Sequence, residues 1–370
     1  MTTIIDHLFR ISCTICDHTE LEVITSFDKF PIMAISDNST KDVFFDLKPV
    51  ICKNCKCLQL EQLVDPAILY SSVYTNATFS PVWTDHHNQF GKFILQSTNE
   101  TSFLEIGANK GDLYKIISKE RSINYSVLDM YKDDNLPSEL NFIQENCESF
   151  NYTGFNTIIL SHVFEHLYSP RNFLESIKKY NVSSVYISIP NFENLLKEEN
   201  LALVYSQHTF YCDFNYITYL FSLYNYICES SFFYNGPVKS YMIKFVLNNN
   251  INKLPLPLPL IDTQLYKNIY INKFNYIKSI EIPRNCYIMP SGIYGQIIYY
   301  LLKQKDNIIG FLDNNKQRHN NRLYGTDKLV YSPLTIDYNN STIIICDCPY
   351  KAEIVEGLQK LCDTVKFISI

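Results

Sequence analysis

The stretch Phe103-Leu104-Glu105-Ile106-Gly107-Ala108-Asn109-Lys110-Gly111-Asp112-Leu113 carries the residue types and spacing of a cofactor cradle. An apolar run meets an acid, then two glycines four apart, then a helical pattern. Glycine lets backbone approach a ligand that a Cβ would hold off. The acid-x-Gly-x-x-x-Gly form suits S-adenosylmethionine (SAM), whose amino-acid group and ribose need polar partners and which carries no pyrophosphate. Glu105, Gly107, Ala108, Asn109 and Gly111 are therefore expected to form a SAM-binding turn. Asp129 ends the next apolar run, 22 residues after Gly107, where an acid would grip the two ribose hydroxyls. Glu145 and Asn146 precede a further strand pattern, and Asn146 is assigned to the adenine end.

A second chemistry is carried by sulfur. Cys13-Thr14-Ile15-Cys16 and Cys52-Lys53-Asn54-Cys55 are separated by 35 residues. Two C-x-x-C pairs each offer two thiolates to a tetrahedron, so Cys13, Cys16, Cys52 and Cys55 are expected to bind Zn²⁺. Four thiolates close the coordination sphere, which makes the site structural. Cys57 and His18 are near enough in sequence to replace one ligand.

Histidines supply a third group. Ser161-His162-Val163-Phe164-Glu165-His166 follows an apolar strand pattern. The order is not His-Glu-x-x-His, so Ser161 and His162 are expected to line the cofactor site and His166 to cap or pack. His86-His87 reads as a surface pair.

Alternating strands and helices must position these residues. Strand patterns at 102–106, 124–128, Thr157–Ser161 and Val185–Ile189 alternate with helices at 111–120 and after Ser169-Pro170, where Ser169 is placed to cap and Pro170 to start the first turn. Asn235-Gly236-Pro237 joins two further runs as a hairpin. The fold class is α/β: a Rossmann-type SAM methyltransferase core, an N-terminal zinc-binding subdomain and a C-terminal Rossmann-like domain. The divisions are 1–75 for the zinc-binding head, 76–250 for the core, 251–275 for a Pro-rich linker around Leu254-Pro255-Leu256-Pro257-Leu258-Pro259-Leu260, and 276–370 for the tail. In the tail, strand patterns at Cys286–Met289, Asn307–Leu312 and Thr342–Cys346 surround Ser291-Gly292-Ile293-Tyr294-Gly295. Pro290 stands where another glycine would admit a phosphate, so a Rossmann-like unit that holds no dinucleotide is expected.

Composition bounds the function. With 370 residues, 46% hydrophobic and 19% charged, the chain can build two or three ordinary cores. A net charge of -6 speaks against a nucleic-acid or anionic-membrane surface. No leader pattern and no apolar run of spanning length is read, so a cytoplasmic chain is expected. The sequence sets no oligomeric state.

The order of cysteine-knuckle head, SAM core and Rossmann-like tail resembles the zinc-containing sugar C-methyltransferases, which act on keto-deoxysugars attached to nucleoside diphosphates. Cys55-Lys56-Cys57-Leu58-Gln59-Leu60 is similar to the family's second knuckle, and His162-Val163-Phe164-Glu165-His166 to its segment after the fourth strand. Tyr205-Ser206-Gln207-His208-Thr209-Phe210-Tyr211 resembles its Tyr-x-Glu-His-x-x-Tyr/Phe pattern. The resemblance implies His208 as catalytic base, Tyr205 as assisting group, Gln207 in place of the usual glutamate, and a further active-site tyrosine in the stretch holding Tyr70 and Tyr74, of which Tyr74 is taken. Imidazole suits the task, because it can take the proton next to a carbonyl and so make carbon a nucleophile. The implied partner is a nucleotide-linked sugar. Two alternatives stand beside this reading: an O- or N-methyltransferase on a sugar or related intermediate, and a SAM-binding zinc scaffold without catalysis.

Overall fold

The computed structural model describes residues 8–38, 41–70, 81–248, 256–258 and 262–370. Its centre is a seven-stranded sheet. The strands are β1 (Ser102–Ile106), β2 (Asn124–Asp129), β3 (Asn141–Gln144), β4 (Thr157–Ser161), β5 (Ser184–Pro190), β6 (Tyr226–Tyr234) and β7 (Ser240–Leu247), in the spatial order β3-β2-β1-β4-β5-β7-β6. β1 to β5 are parallel, and the β6–β7 hairpin returns antiparallel against β5. This is a Rossmann-like sheet, with the order reversing between β1 and β4.

The central strands read as continuous apolar runs because both faces are covered. Leu104, Ile158, Ile159, Leu160, Val185 and Ile187 are all fully buried. Each such side chain contributes about 1.5–3 kcal/mol. Helix Asp112–Glu120 buries Leu113 and Ile117, four apart on one face. Helix Pro170–Lys179 buries Phe173, Leu174 and Ile177. Its expected cap differs from the structure: Ser169 holds the N-cap position, but its side chain makes no capping bond. Just before the helix, Glu148 Oε1 accepts from the amides of Tyr168 and Ser169 and so fixes the entering chain.

The head is a four-stranded antiparallel sheet in the order Phe210–Tyr211, Leu58–Leu60, Pro49–Cys52, Leu21–Val23. Its first strand thus comes from the core region of the sequence, with Phe210 paired to Gln59 and Tyr211 to Leu58. The tail is a five-stranded parallel sheet in the order Val330–Tyr331, Ile308–Leu312, Cys286–Met289, Thr342–Ile345, Lys366–Ser369. Head and tail share one apolar cluster, in which the rings of Phe27 and Phe274 meet at 5.2 Å. Gln296 reinforces the contact, its Nε2 donating to the carbonyls of Met33 and Tyr324 at 2.6 and 2.7 Å.

Part of the segment read as linker is structured. Residues 263–279 run as consecutive helical turns, with Tyr266, Ile269, Tyr270 and Phe274 buried in the head–tail cluster. The proline spacing at 254–260 says nothing of the apolar periodicity that follows it. Among the described residues, no helix is long and apolar enough to cross a membrane.

Candidate functional site

The C-terminal ends of β1, β2 and β4 meet at one edge of the sheet, beside the reversal in strand order, where open α/β sheets bind ligands. Gly107 leaves β1 with φ +71°, and its amide donates to the Leu128 carbonyl at 3.0 Å. A Cβ there would lie 2.5 Å from Val163 Cγ2. Gly111, at φ +68°, caps the following helix, and a Cβ on it would press on Pro137 Cδ at 3.1 Å. Ala108 is buried and Asn109 sits at φ +50° between them. Glu105 is buried and accepts from Tyr125 Oη at 2.9 Å; burial pushes its carboxyl up to about 8. Asp129 is pushed up to about 6 by burial at the end of β2. Ser161 Oγ, at the end of β4, is buried without a hydrogen-bond partner. A glycine turn that excludes a side chain, two acids and an unpaired hydroxyl fit the polar groups of SAM. Asn146 is exposed, and its Oδ1 accepts from the Glu148 amide at 2.9 Å.

Two consequences can be measured here. Gly107→Ala adds a Cβ to a left-handed residue, costing about 1–2 kcal/mol in strain before the Val163 clash. SAM affinity by calorimetry should fall at least about tenfold; unchanged affinity would mean the turn is not the cradle. The raised Glu105 carboxyl stabilises the fold while protonated. That contribution is complete below its ordinary value of 4.5 and is lost as pH rises through about 8. Without SAM, the melting temperature of Glu105→Gln relative to wild type should therefore climb between those limits. A pH-independent difference would contradict the assignment.

The four expected cysteines converge. Sγ atoms of Cys13 and Cys55 lie 3.5 Å apart and those of Cys16 and Cys52 3.6 Å apart, and all four fall within 4.8 Å of one another. A zinc–sulfur bond of about 2.3 Å gives a tetrahedral edge of about 3.8 Å, so the cluster fits Zn²⁺. Contact with Cys13 and burial push the Cys16 thiol up to about 12, a state that a bound cation reverses. Cys57 stands outside the cluster, its thiol directed to the Tyr211 carbonyl at 3.6 Å. His18 is also outside it, 4.0 Å from Glu20.

The sulfur cluster and His208 are joined through the head sheet. Phe210 and Tyr211 pair with Gln59 and Leu58, directly after the second knuckle. The Leu60 amide donates to the Thr209 carbonyl at 2.9 Å, and Tyr216 Oη donates to the Cys55 carbonyl. On its other side, the Thr209 amide donates to the Glu165 carbonyl at 3.1 Å. His208 is thus held between the head and the loop after β4.

Around the His208 ring, Tyr205 and His166 stand edge-on at 5.1 Å, Phe192 at 5.4 Å and Tyr211 at 6.0 Å. Its Nδ1 is buried with no hydrogen-bond partner. Burial and the neighbouring His166 push the imidazole down to about 3, with Glu165 opposing them. Gln207 is fully buried beside it. Tyr74 lies outside the described residues. Tyr70, the other tyrosine of that stretch, places Oη 3.3 Å from His166 Nδ1.

Glu165 and His166 were missed as site residues. One carboxylate oxygen of Glu165 and one ring nitrogen each of His166 and His208 lie within 4.8 Å of one another. The visible signal was the His162-x-x-Glu165-His166 spacing directly after a strand. His162 adopts φ +53°, costly for a side chain with a Cβ, and reaches Ser240 Oγ at 3.0 Å with Nε2. The expected His86-His87 surface pair is corrected: His86 is fully buried, 2.7 Å from Ser188 Oγ. Helix Pro81–Ser97 lays it on the sheet, where His86 and Trp83 back the His162 ring at 4.8 and 5.0 Å.

In the tail, Asp313 ends its strand but is taken up by Ser291 Oγ at 2.6 Å and Arg318 Nη1 at 3.0 Å. Arg318 Nη1 would lie 2.9 Å from a Cβ on Gly292, so it covers that turn.

No family model and no curated protein matches this chain. Among solved structures, it is similar to a magnesium protoporphyrin IX methyltransferase from Synechocystis PCC 6803 with bound S-adenosylhomocysteine, at 8% identity and a TM-score of 0.37, covering 45% of this chain and 84% of that one. The N-methyltransferase NodS from Bradyrhizobium japonicum gives 13% identity and 0.36 over 46% and 90%. The plantazolicin methyltransferase BpumL gives 15% and 0.36 over 45% and 84%.

Proposed function

We propose that this chain uses SAM to C-methylate a nucleotide-linked keto-deoxysugar, with His208 as general base and Tyr205 assisting. The observation that carries the reading is the His208 imidazole: a buried, unpartnered Nδ1 in a ring fixed on two sides by backbone bonds of Thr209. A neutral imidazole in that state can accept a proton from a carbon next to a carbonyl. Glu105, Gly107, Ala108, Asn109, Gly111, Asp129, Ser161 and His162 would hold the cofactor, with Asn146 at its adenine end. SAM supplies an electrophilic methyl group on a sulfonium centre. Productive transfer needs the acceptor carbon and that methyl about 3–3.5 Å apart and aligned. The closed cysteine site would bind structural zinc and hold the His208 segment in register.

The test is mass spectrometry of the purified chain with SAM and a panel of nucleoside-diphosphate 4-keto-6-deoxysugars. A gain of one methyl that survives acid hydrolysis of the sugar is expected. An acid-labile methyl would indicate an O-acceptor. SAM binding without transfer to any sugar would refute the sugar assignment.

A further inference from the structure

Glu165 is a buried acid with no task in the proposed methyl transfer. It is 1% exposed, and neither carboxylate oxygen accepts a hydrogen bond. Its nearest ionisable neighbour is His162, with Nδ1 3.4 Å from Oε1. A buried carboxylate is expensive unless a positive charge compensates it, and imidazoles are the groups placed here to do so. Burial alone would raise this carboxyl, yet His162, His166 and His208 together hold it below the ordinary carboxylate value. One of its oxygens lies within 4.8 Å of a ring nitrogen of His208, the imidazole that has to become a cation in the proposed reaction.

The resemblance places a glutamate immediately before the histidine, and this chain has Gln207 there. A neutral amide cannot balance an imidazolium. We propose that Glu165 is the positioning residue for His208, supplying from the loop after β4 the negative charge missing at position 207. The inference rests on His208 acting as base. The Thr209 amide bond to the Glu165 carbonyl fixes the two segments together, so the carboxylate and the ring keep their spacing without a direct side-chain bond. The proton passes from the acceptor carbon to His208, the electron pair moves to the substrate oxygen, and the new imidazolium is balanced by Glu165. When carbon takes the methyl, that electron pair would form the new carbon–carbon bond while the methyl–sulfur bond breaks with its pair kept on the sulfur of departing S-adenosylhomocysteine, and His208 returns its proton to solvent. The other titratable groups facing His208 are His166 and His162 on the Glu165 loop, Tyr205 and Tyr211 on its own segment, and Tyr70 through His166. None of these brings a negative charge at neutral pH.

The experiment compares full-length wild type, Glu165→Gln, Gln207→Glu and the double variant. SAM affinity by calorimetry reports folding. Carbon-13 NMR of histidine-labelled chain, with the His208 signal assigned by His208→Gln, reports the imidazole midpoint without any acceptor. Glu165→Gln should still bind SAM, which shows that it is folded, while the His208 midpoint falls. On a sugar that the wild type methylates, its turnover should fall about 10²-fold with little change in KM. Gln207→Glu in the same chain should recover both midpoint and rate, because it restores the charge from the other side. An unmoved midpoint in Glu165→Gln overturns the inference. So would wild-type activity that vanishes on dialysis and returns with manganese while the cysteine-bound zinc stays in place, since Glu165 would then be holding a cation. A wild type that methylates no sugar counts against the sugar assignment and leaves the midpoint comparison intact.

Discussion

His208→Gln is expected to bind SAM with wild-type affinity and to transfer methyl groups about 10²–10⁴-fold more slowly, the range of a lost general base. The substitution keeps a polar side chain of similar reach, so the aromatic enclosure of Tyr205, Phe192 and Tyr211 stays filled. The glycine turn lies on different elements from His208, which is why cofactor affinity and turnover should separate. The paired readings are calorimetry with SAM and single-turnover rates with saturating sugar. Equal loss of affinity and rate would mean the variant damages the fold. Unchanged turnover would remove His208 from the chemistry.

Removing the metal should have a still broader effect. The cysteine pairs anchor a short head whose sheet includes Phe210–Tyr211, two residues past His208. Structural zinc in small domains contributes about 10–16 kcal/mol of apparent binding energy. A whole domain is stable by only about 5–15 kcal/mol. Cys52→Ser, or chelation of the wild type, should therefore unfold the head and abolish methyl transfer, while helix Asp112–Glu120 and the strands beside it stay folded. Hydrogen exchange should rise at Leu58–Leu60 and Phe210–Tyr211 and stay low at β1 and β4. Metal analysis should find one zinc per chain in the wild type. A zinc-free chain with full turnover would contradict a structural site coupled to His208.

Those two effects also mark what could be read from the sequence. The glycine turn and strands β1, β2, β4 and β5 were legible because parallel central strands are apolar on both faces and the turn chemistry is local. The cysteine tetrad was legible because its spacing encodes a tetrahedron. β3 was not, since Asn141–Gln144 is a half-exposed edge strand with no apolar run. The strand Phe210–Tyr211 was not either, because two residues carry no periodicity and its partner lies about 150 positions earlier. His166 was in view but read as a cap or packing residue, and Glu165 beside it carried no assigned role. What gives them a role is proximity to His208, from a segment 42 residues later, and no local pattern states that distance. His86 was misjudged for a related reason: its helix packs on the sheet through polar as well as apolar contacts, and Ser188 inside β5 gives a buried imidazole its partner.

The most direct test of the account is carbon-13 NMR of the product formed from SAM labelled at its methyl carbon and a nucleoside-diphosphate 4-keto-6-deoxysugar. The account predicts a labelled methyl bonded to sugar carbon, formed by wild type and absent with His208→Gln. A labelled methyl bonded to oxygen or nitrogen, or a carbon-bound methyl formed equally well by His208→Gln, would contradict it.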